Sequence, residues 1–332
     1  MEEQILIVTC KQDLHPTSVI NLLNEKQIPF FRLNTEALMT DYEFAWTCRN
    51  QEIDLHIKDL NTKKEISLSQ IHSVWYRRAP YPSEMPYTVD EKVDKHNIEE
   101  AKQFYLYLMY YISDFYSIGN HFLDKYANSK LNQFREAIKL GVKIPDTCLT
   151  NNKRYLDDFI CKFENVILKP LHDYGIWYSA DRTYPFYATK ISSSSLLSQS
   201  EESISQTVNF CEDYVEKKYE VRVTVMGNHI FACKLDSQSQ TEDTGKIDWR
   251  QGYDHQLKHE LIHLPKEIEE FCRQYLRRFR LHFGCFDFIV TPKDEYVFLE
   301  CNPNGQWGWI EDELGLPMSE ALLDCLLYRL EV

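Results

Sequence analysis

No run of about 18 apolar residues occurs in the 332-residue sequence, which excludes an apolar helix that crosses a membrane. The ten cysteines, at positions 10, 48, 148, 161, 211, 233, 272, 285, 301 and 325, form no CxxC pair and no Cys/His cluster with zinc spacing. They read as reduced thiols, several of them core residues. The opening MEEQILIVTCKQD has no basic segment ahead of an apolar one, so no signal peptide is expected there and a cytoplasmic location is. Positive charge is in short supply. Against 51 Asp and Glu stand 37 Lys and Arg, a net charge of −14. That disfavours a sequence-independent grip on nucleic acid and suits a small molecule or a peptide carrying basic residues. No internal repeat is visible.

What is present is enough to bury a core: 43% of residues are hydrophobic and 14% aromatic, in a chain long enough for two or three domains. Ile5–Thr9, Phe30–Asn34 and Val74–Arg78 read as strands and Ser18–Lys26 as a helix, together a small α/β unit. A long helix is expected over Ile98–Tyr116, and Gly119 marks the end of the first domain. Residues 1–118, 119–208 and 209–332 are the expected domains. Lys130–Leu140 reads as a helix capped by Asn128 or Ser129, with Leu131, Phe134 and Ile138 as its apolar stripe. Val166–Lys169 is a strand stopped by Pro170, and the serine-rich Ser192–Ser205 a mobile loop or short exposed helix. Val221–Met226 and Ile230–Leu235 flank Gly227-Asn228, a hairpin signal. Helices are expected over Glu267–His282 and Ser319–Leu330, and a second hairpin over Cys285–Asn302. The class is α/β (α+β).

The second hairpin, CFDFIVT-PKDE-YVFLECN, carries the sharpest chemical signal. A turn centred on Lys293-Asp294 pairs Thr291 with Tyr296 and, counting outward, sets Asp287 opposite Glu300. Asn302 shares the Glu300 face, because strand side chains alternate. Two facing carboxylates repel by ~0.2–1 kcal/mol on a surface and by more when buried. Phe286, Phe288, Phe298 and Leu299 around them suggest burial, so a proton or a cation is expected between the acids. Two carboxylates and an amide oxygen make a hard donor set that suits Mg²⁺ and not zinc. Removing one acid of such a repelling pair should cost folding little. An ordinary solvent-facing hairpin is the competing reading.

Lys169 ends an apolar strand, where a lysine ordinarily reaches for water, and Lys130 opens a helix, where a cation opposes the dipole unless an anion is near. Glu220 and Arg222 share one strand face, as a nucleotide-binding pair or a plain ion pair.

Taken in order, NSKLNQFREAIKLGVKIPDT, VILKP, CEDYVEKKYEVRVTVMG and FDFIV…VFLECNPNG resemble the ATP-grasp superfamily over residues 120–330. The resemblance implies an ATP-grasp fold behind a small α/β N-terminal domain. It implies ATP contacts from Lys130 and Lys169, adenine reading by Glu212 with Tyr214 and Val215, and ribose binding by Glu220. It implies Mg²⁺ on Asp287, Glu300 and Asn302, with Arg222 neutralising the transferred phosphoryl group.

FFRLNTE, WYRRAP, YEVRVTVMG, Asp236-Ser237-Gln238, Asp248-Trp249-Arg250 and FLECNPNGQW further resemble the graspetide synthetases, microviridin-type maturases that crosslink side chains of a ribosomal precursor peptide. This implies a leader-plus-core peptide partner, no nucleic acid or membrane partner, and a homodimer. Asp248 and Arg250 become candidates for orienting the acyl group or nucleophile, and Arg77 and Arg78 for reaching an acidic substrate. Glu201, Glu202 and Asp213 become candidates for holding a basic leader. One departure stands out: only Gly175 occurs in LHDYGIWYSADRT, where many ATP-grasp enzymes have a glycine-rich phosphate loop. The alternatives are a ligase of free amino acids, a kinase of the same fold, and a nucleotide-binding regulator without catalysis.

Overall fold

The computed structural model describes residues 3–86, 88, 90–171, 176–179, 182–184, 187–240, 243–251 and 257–332. Strand β1 (Gln4–Thr9), helix α1 (Thr17–Glu25) and strand β2 (Phe30–Asn34) make the expected parallel unit. An antiparallel meander follows that sequence reasoning missed: β3 (Tyr42–Arg49), β4 (Glu52–Asp59) and β5 (Glu65–Ser67). Every residue of β3 after Tyr42 is exposed, so no alternation was there to read. Strand β6 (Ile71–Tyr76) returns beside β1, and β7 (Ser117–Ile118) completes a sheet of order β2-β1-β6-β7. Ile5, Leu6, Ile7 and Val8 are buried without a break, as befits an inner parallel strand covered on both faces.

Between β6 and β7 runs helix α2 (Glu91–Ile112), which begins well before the expected Ile98. Asp90 sets its start: the side chain accepts from the Lys92 N–H at 2.8 Å, and Glu91 and Asp94 follow in the first turn. Gly119 then turns with φ +75°, where a Cβ would lie 2.3 Å from the Tyr76 carbonyl oxygen.

Helices α3 (His121–Ala127) and α4 (Lys130–Lys139) lead into a second sheet. Its strands are β8 (Thr147–Thr150), β9 (Asn165–Lys169), β12 (Thr189–Ser192) and β13 (Asn209–Asp213), in the order β12-β9-β13-β8. Helix α5 (Lys153–Ile160) packs on it, and a separate hairpin joins β10 (Ile176–Ser179) to β11 (Arg182–Tyr184). The expected stripe of α4 is corrected: Leu131 and Ile138 are 64% and 61% exposed, while Gln133, Phe134 and Ala137 are buried. The serine-rich segment forms two short helices, α6 (Ser193–Leu197) and α7 (Glu201–Ser205), capped by the Ser192 and Ser200 hydroxyls. Gly175 lies outside the described residues.

The third sheet is built from β14 (Tyr219–Met226), β15 (His229–Leu235), β16 (His259–Leu261), β17 (Phe283–Val290) and β18 (Tyr296–Asn302), in the order β16-β15-β14-β17-β18. Helix α8 (Asp243–Ile247) lies between β15 and β16, and α9 (Lys266–Phe279) between β16 and β17. Phe271 and Tyr275 of α9 pack their rings against Phe286 and Phe298 at 5.3–6.2 Å between centroids. That aromatic layer occupies one face of the sheet, so the alternating residues Glu220, Arg222, Asp287 and Glu300 lie on the other. Helices α10 (Gly308–Leu314) and α11 (Met318–Tyr328) close the chain, α11 against α1 and β6. Among the described residues no helix is long and apolar enough to cross a membrane.

Candidate active site

The β17–β18 hairpin places Asp287 opposite Glu300, as expected, but by another register. Val290, not Thr291, pairs with Tyr296, so the two strands leave the turn one residue out of the expected alignment. A bulge at Leu299 absorbs the difference and restores the Asp287–Glu300 pairing. On the other side of β17, Asp287 pairs with Arg222 of β14.

The acids are not left to repel. Arg222 Nη1 donates to Asp287 Oδ2 at 2.7 Å, and Lys130 Nζ donates to Glu300 Oε2. Lys130 opens α4 and so supplies the cation, with the anion its helix position calls for. The two carboxyls are driven apart in acidity. Lys130 above all holds Glu300 low, at about 2, helped by Lys169 and Arg250 against burial. Burial pushes Asp287 up despite Arg222, and the Glu300 charge adds to the rise. Glu300 therefore keeps its charge, and Asp287 is the more easily protonated of the two. Burial works against the Arg222 charge, but Asp287, Cys285 and Glu300 outweigh it and hold the guanidinium above its ordinary value.

Asn302 follows on the Glu300 face, and its Oδ1 accepts from the Asn304 N–H at 2.9 Å. A carbonyl oxygen has a second lone pair, so this contact orients the amide and leaves one acceptor direction. Two carboxylates with an amide oxygen on one sheet face fit Mg²⁺. Among the described residues no group of three His, Cys, Asp or Glu is placed to hold a metal. The following loop passes so close to the arginine that a Cβ on Gly305 would lie 2.8 Å from Arg222 Nη2 and 2.5 Å from Cys285 Cβ.

The second sheet faces this group with Lys169. Its Nζ lies 2.5 Å from Glu212 Oε2, and the Glu212 side chain is only 3% exposed. The lysine thus turns to a buried acid instead of to water. Glu212 Oε1 is buried with no hydrogen-bond partner among the described residues. Next to it, Tyr214 carries Lys190 over its ring at 3.8 Å, Val215 is half-buried, and Asp213 pairs with Val166. Burial raises the Asp213 carboxyl.

Glu220 and Arg222 do share a face, but each has its own partner. Glu220 accepts from Lys217 Nζ at 2.9 Å, and the same ammonium donates to the Ile247 carbonyl at 2.7 Å. Burial raises Glu220 against that pairing. One residue further on, Asp248 is buried and receives Arg250 through Nε at 2.8 Å and Nη2 at 2.6 Å. The Asp248 bonds hold the Arg250 guanidinium above its ordinary value, with Glu300 and Asp287 adding to the effect. Arg250 thus shares the field of the central acids.

The arginine pair divides. Arg77 is 1% exposed, 3.0 Å from Asp13 Oδ2 and over the Trp307 ring at 5.6 Å. Burial lowers its guanidinium to about 10. Arg78 is exposed, in a left-handed backbone (φ 45°), and donates to the Asn304 carbonyl at 3.2 Å. Glu201 and Glu202 are exposed on α7, in the first turn. Sequence reasoning missed Lys217, Asp13, Lys190 and Gln133. Lys217 is the one with a readable signal, since it stands three residues before Glu220.

Residues 4–129 match the model of the MvdD pre-ATP grasp domain. The whole fold is similar to a RiPP-associated ATP-grasp ligase of Chryseobacterium gregarium, solved in complex with ADP and a leader and core peptide. The TM-score is 0.88 at 26% identity, over 98% of this chain and 97% of that one. It is similar to the macrocyclase MdnC of Microcystis aeruginosa MRC, bound with the precursor peptide MdnA, at TM-score 0.83 and 25% identity over 98% and 99%. The ATP-grasp ligase PsnB, complexed with minimal precursor, Mg and ADP, shares the fold at TM-score 0.70 and 16% identity over 98% and 96%. None of the curated proteins compared matches the sequence. The chain thus has the ATP-grasp fold behind a pre-ATP-grasp domain, and it resembles the ATP-grasp ligases of ribosomal peptides.

Proposed function

We propose that the chain is an ATP-dependent carboxylate ligase that crosslinks side chains of a ribosomal precursor peptide, giving a macrocyclic graspetide. The observation that carries this reading is the pairing of Asp287 and Glu300 with Arg222 and Lys130 at one partly buried sheet face of an ATP-grasp fold. The likeness to ligases solved with leader and core peptides supports the peptide substrate.

A carboxylate is a poor acyl donor because its leaving group is oxide. In the proposed reaction an Asp or Glu side-chain oxygen of the peptide attacks the γ-phosphorus of ATP, the bond to the β-phosphate oxygen breaks, and ADP leaves. A Thr or Ser hydroxyl, or a Lys amine, then attacks the acyl phosphate. Inorganic phosphate departs, the nucleophile loses its proton, and an ester or amide remains. Mg²⁺ held by Asp287, Glu300 and Asn302 would neutralise phosphate charge. Lys130 and Lys169 hold nucleotide phosphates, and Arg222 steadies the transferred group, each by a charge fixed before reaction. Glu212 Oε1, buried and with no hydrogen-bond partner among the described residues, suits a ligand amine such as that of adenine. Tyr214 and Val215 line that end, and Glu220 takes the ribose. Arg250, braced by Asp248, orients the acyl group. Arg78 meets an acidic part of the peptide, backed by Arg77, and Glu201, Glu202 and Asp213 meet a basic leader. The domains divide at 118/119 and 208/209, and the protein works in the cytoplasm as a homodimer.

The test is ATP turnover with a peptide bearing Thr and Glu. Loss of one water from the peptide per ADP released is the expected result. ADP release only with a free amino acid would instead favour the amino-acid ligase. A peptide that gains phosphate would mark a kinase, and no turnover at all a regulator.

A further inference from the structure

We propose that Gln133 is a positioning residue that sets Glu300 and Asn302 for the metal by clamping Cys301, the residue between them. The proposal rests on the metal reading of Asp287, Glu300 and Asn302 given above.

Strand β18 is the last strand of its sheet, so among the described residues one side of its backbone has no neighbouring strand, only an isolated bridge from Lys143 to Val297. Gln133 does the work of one there. Its Nε2 donates to the Cys301 carbonyl at 2.8 Å, and its Oε1 accepts from the Cys301 N–H at 3.0 Å. The second Nε2 hydrogen goes to the Ala127 carbonyl at 2.8 Å, which ties the clamp to the end of α3. The side chain is fully buried. A buried amide in a helix costs stability unless satisfied, and an apolar residue would fill the α4 stripe without that demand. Here the amide spends three bonds on one strand end and its own helix junction.

The position gives the clamp its consequence. The bulge at Leu299 is what re-aims Glu300 at Asp287, and a bulge interrupts the strand ladder locally, leaving that stretch to be held by other contacts. The bulge is pinned on both flanks: before it, the Phe298 N–H donates to the Lys143 carbonyl at 2.8 Å, and after it stands Gln133. Lys130 lies one turn before Gln133 on α4, so one helix face delivers both the Glu300 cation and the Cys301 clamp. Beyond Asn302 the chain is held again, where Asn304 Nδ2 donates to Asp124 Oδ2 on α3.

The experiment measures Mn²⁺ binding by electron paramagnetic resonance in the presence of β,γ-imido-ATP, at a temperature where circular dichroism shows each variant folded. Wild type, Glu300→Gln, Gln133→Met and Gln133→Glu are compared. Gln133→Glu keeps the acceptor for Cys301 and the side-chain size if the methionine variant does not fold. Weaker Mn²⁺ binding by about 10–100-fold in Gln133→Met is expected, as for other partners that orient metal ligands, with a smaller loss in Gln133→Glu. Unchanged Mn²⁺ affinity in the folded Gln133 variants, with binding lost in Glu300→Gln, overturns the positioning role and leaves the metal site standing. Wild-type affinity in Glu300→Gln overturns both.

Discussion

Glu300→Gln separates the charge pairing seen in the structure from simple repulsion between two acids. Were Asp287 and Glu300 an unrelieved repelling pair, the substitution would be neutral or stabilising without ligand. The structure instead gives Glu300 the Lys130 ammonium, which holds its carboxyl at about 2 against an ordinary 4.5. At ~1.36 kcal/mol per tenfold change in acidity, a depression of this size would come to a few kcal/mol for a fully shielded group. With 35% of the Glu300 side chain exposed, screening reduces this to about 1–2 kcal/mol. At ~2–4 °C per kcal/mol the ligand-free variant should melt a few degrees below wild type at pH 7. The folded value is depressed, so the contribution is fully present above the unfolded value of 4.5 and fades only as pH falls towards about 2. The gap between wild type and variant should therefore stay flat from about pH 8 to 5. The assay is differential scanning fluorimetry in EDTA across that range, repeated with Mg²⁺ and ATP. Ligand at 100 times its dissociation constant should stabilise wild type by ~2.7 kcal/mol, and the variant by much less. A variant as stable as wild type in EDTA would refute the pairing argument, and normal product formation would refute the metal assignment.

Lys169→Ala should weaken ATP binding measured by calorimetry and abolish turnover, because the lysine faces the buried Glu212 and not solvent. Gly305→Ala should lower turnover while the protein stays folded, since its Cβ would press on Arg222 Nη2 and Cys285, and wild-type kinetics would show that the loop gives way. Glu201→Lys with Glu202→Lys should raise the Michaelis constant for full-length precursor and leave ATP affinity alone. Both residues are exposed and each ion pair is worth only about 0–1 kcal/mol, so both must change.

How much of this was legible in the sequence depended on how local each signal was. The strands β1 and β2 and the first hairpin lay close to their expected bounds because apolar runs and Gly227-Asn228 state them within a few residues. The β3–β5 meander was invisible because its first strand has no buried face after Tyr42. For the site, the ordered motifs, through their resemblance to the ATP-grasp superfamily, were enough to nominate Lys130, Lys169, Glu212, Glu220, Arg222, Asp287, Glu300 and Asn302 as candidates. The partners of those residues were not. Asp287 faces Glu300 only because a bulge at Leu299 cancels a one-residue error at the turn, and no alternation rule registers a bulge. Lys130 meets Glu300 and Lys169 meets Glu212 across separate elements, at distances that depend on how α4 and two strands pack. Pairing of that kind decides which acid is charged and which cation is held ready, so the chemistry of the site is set by contacts the linear pattern does not encode. The same reasoning explains why Gln133 escaped notice. A glutamine in a helix reads as a surface residue until the strand edge it closes is in place.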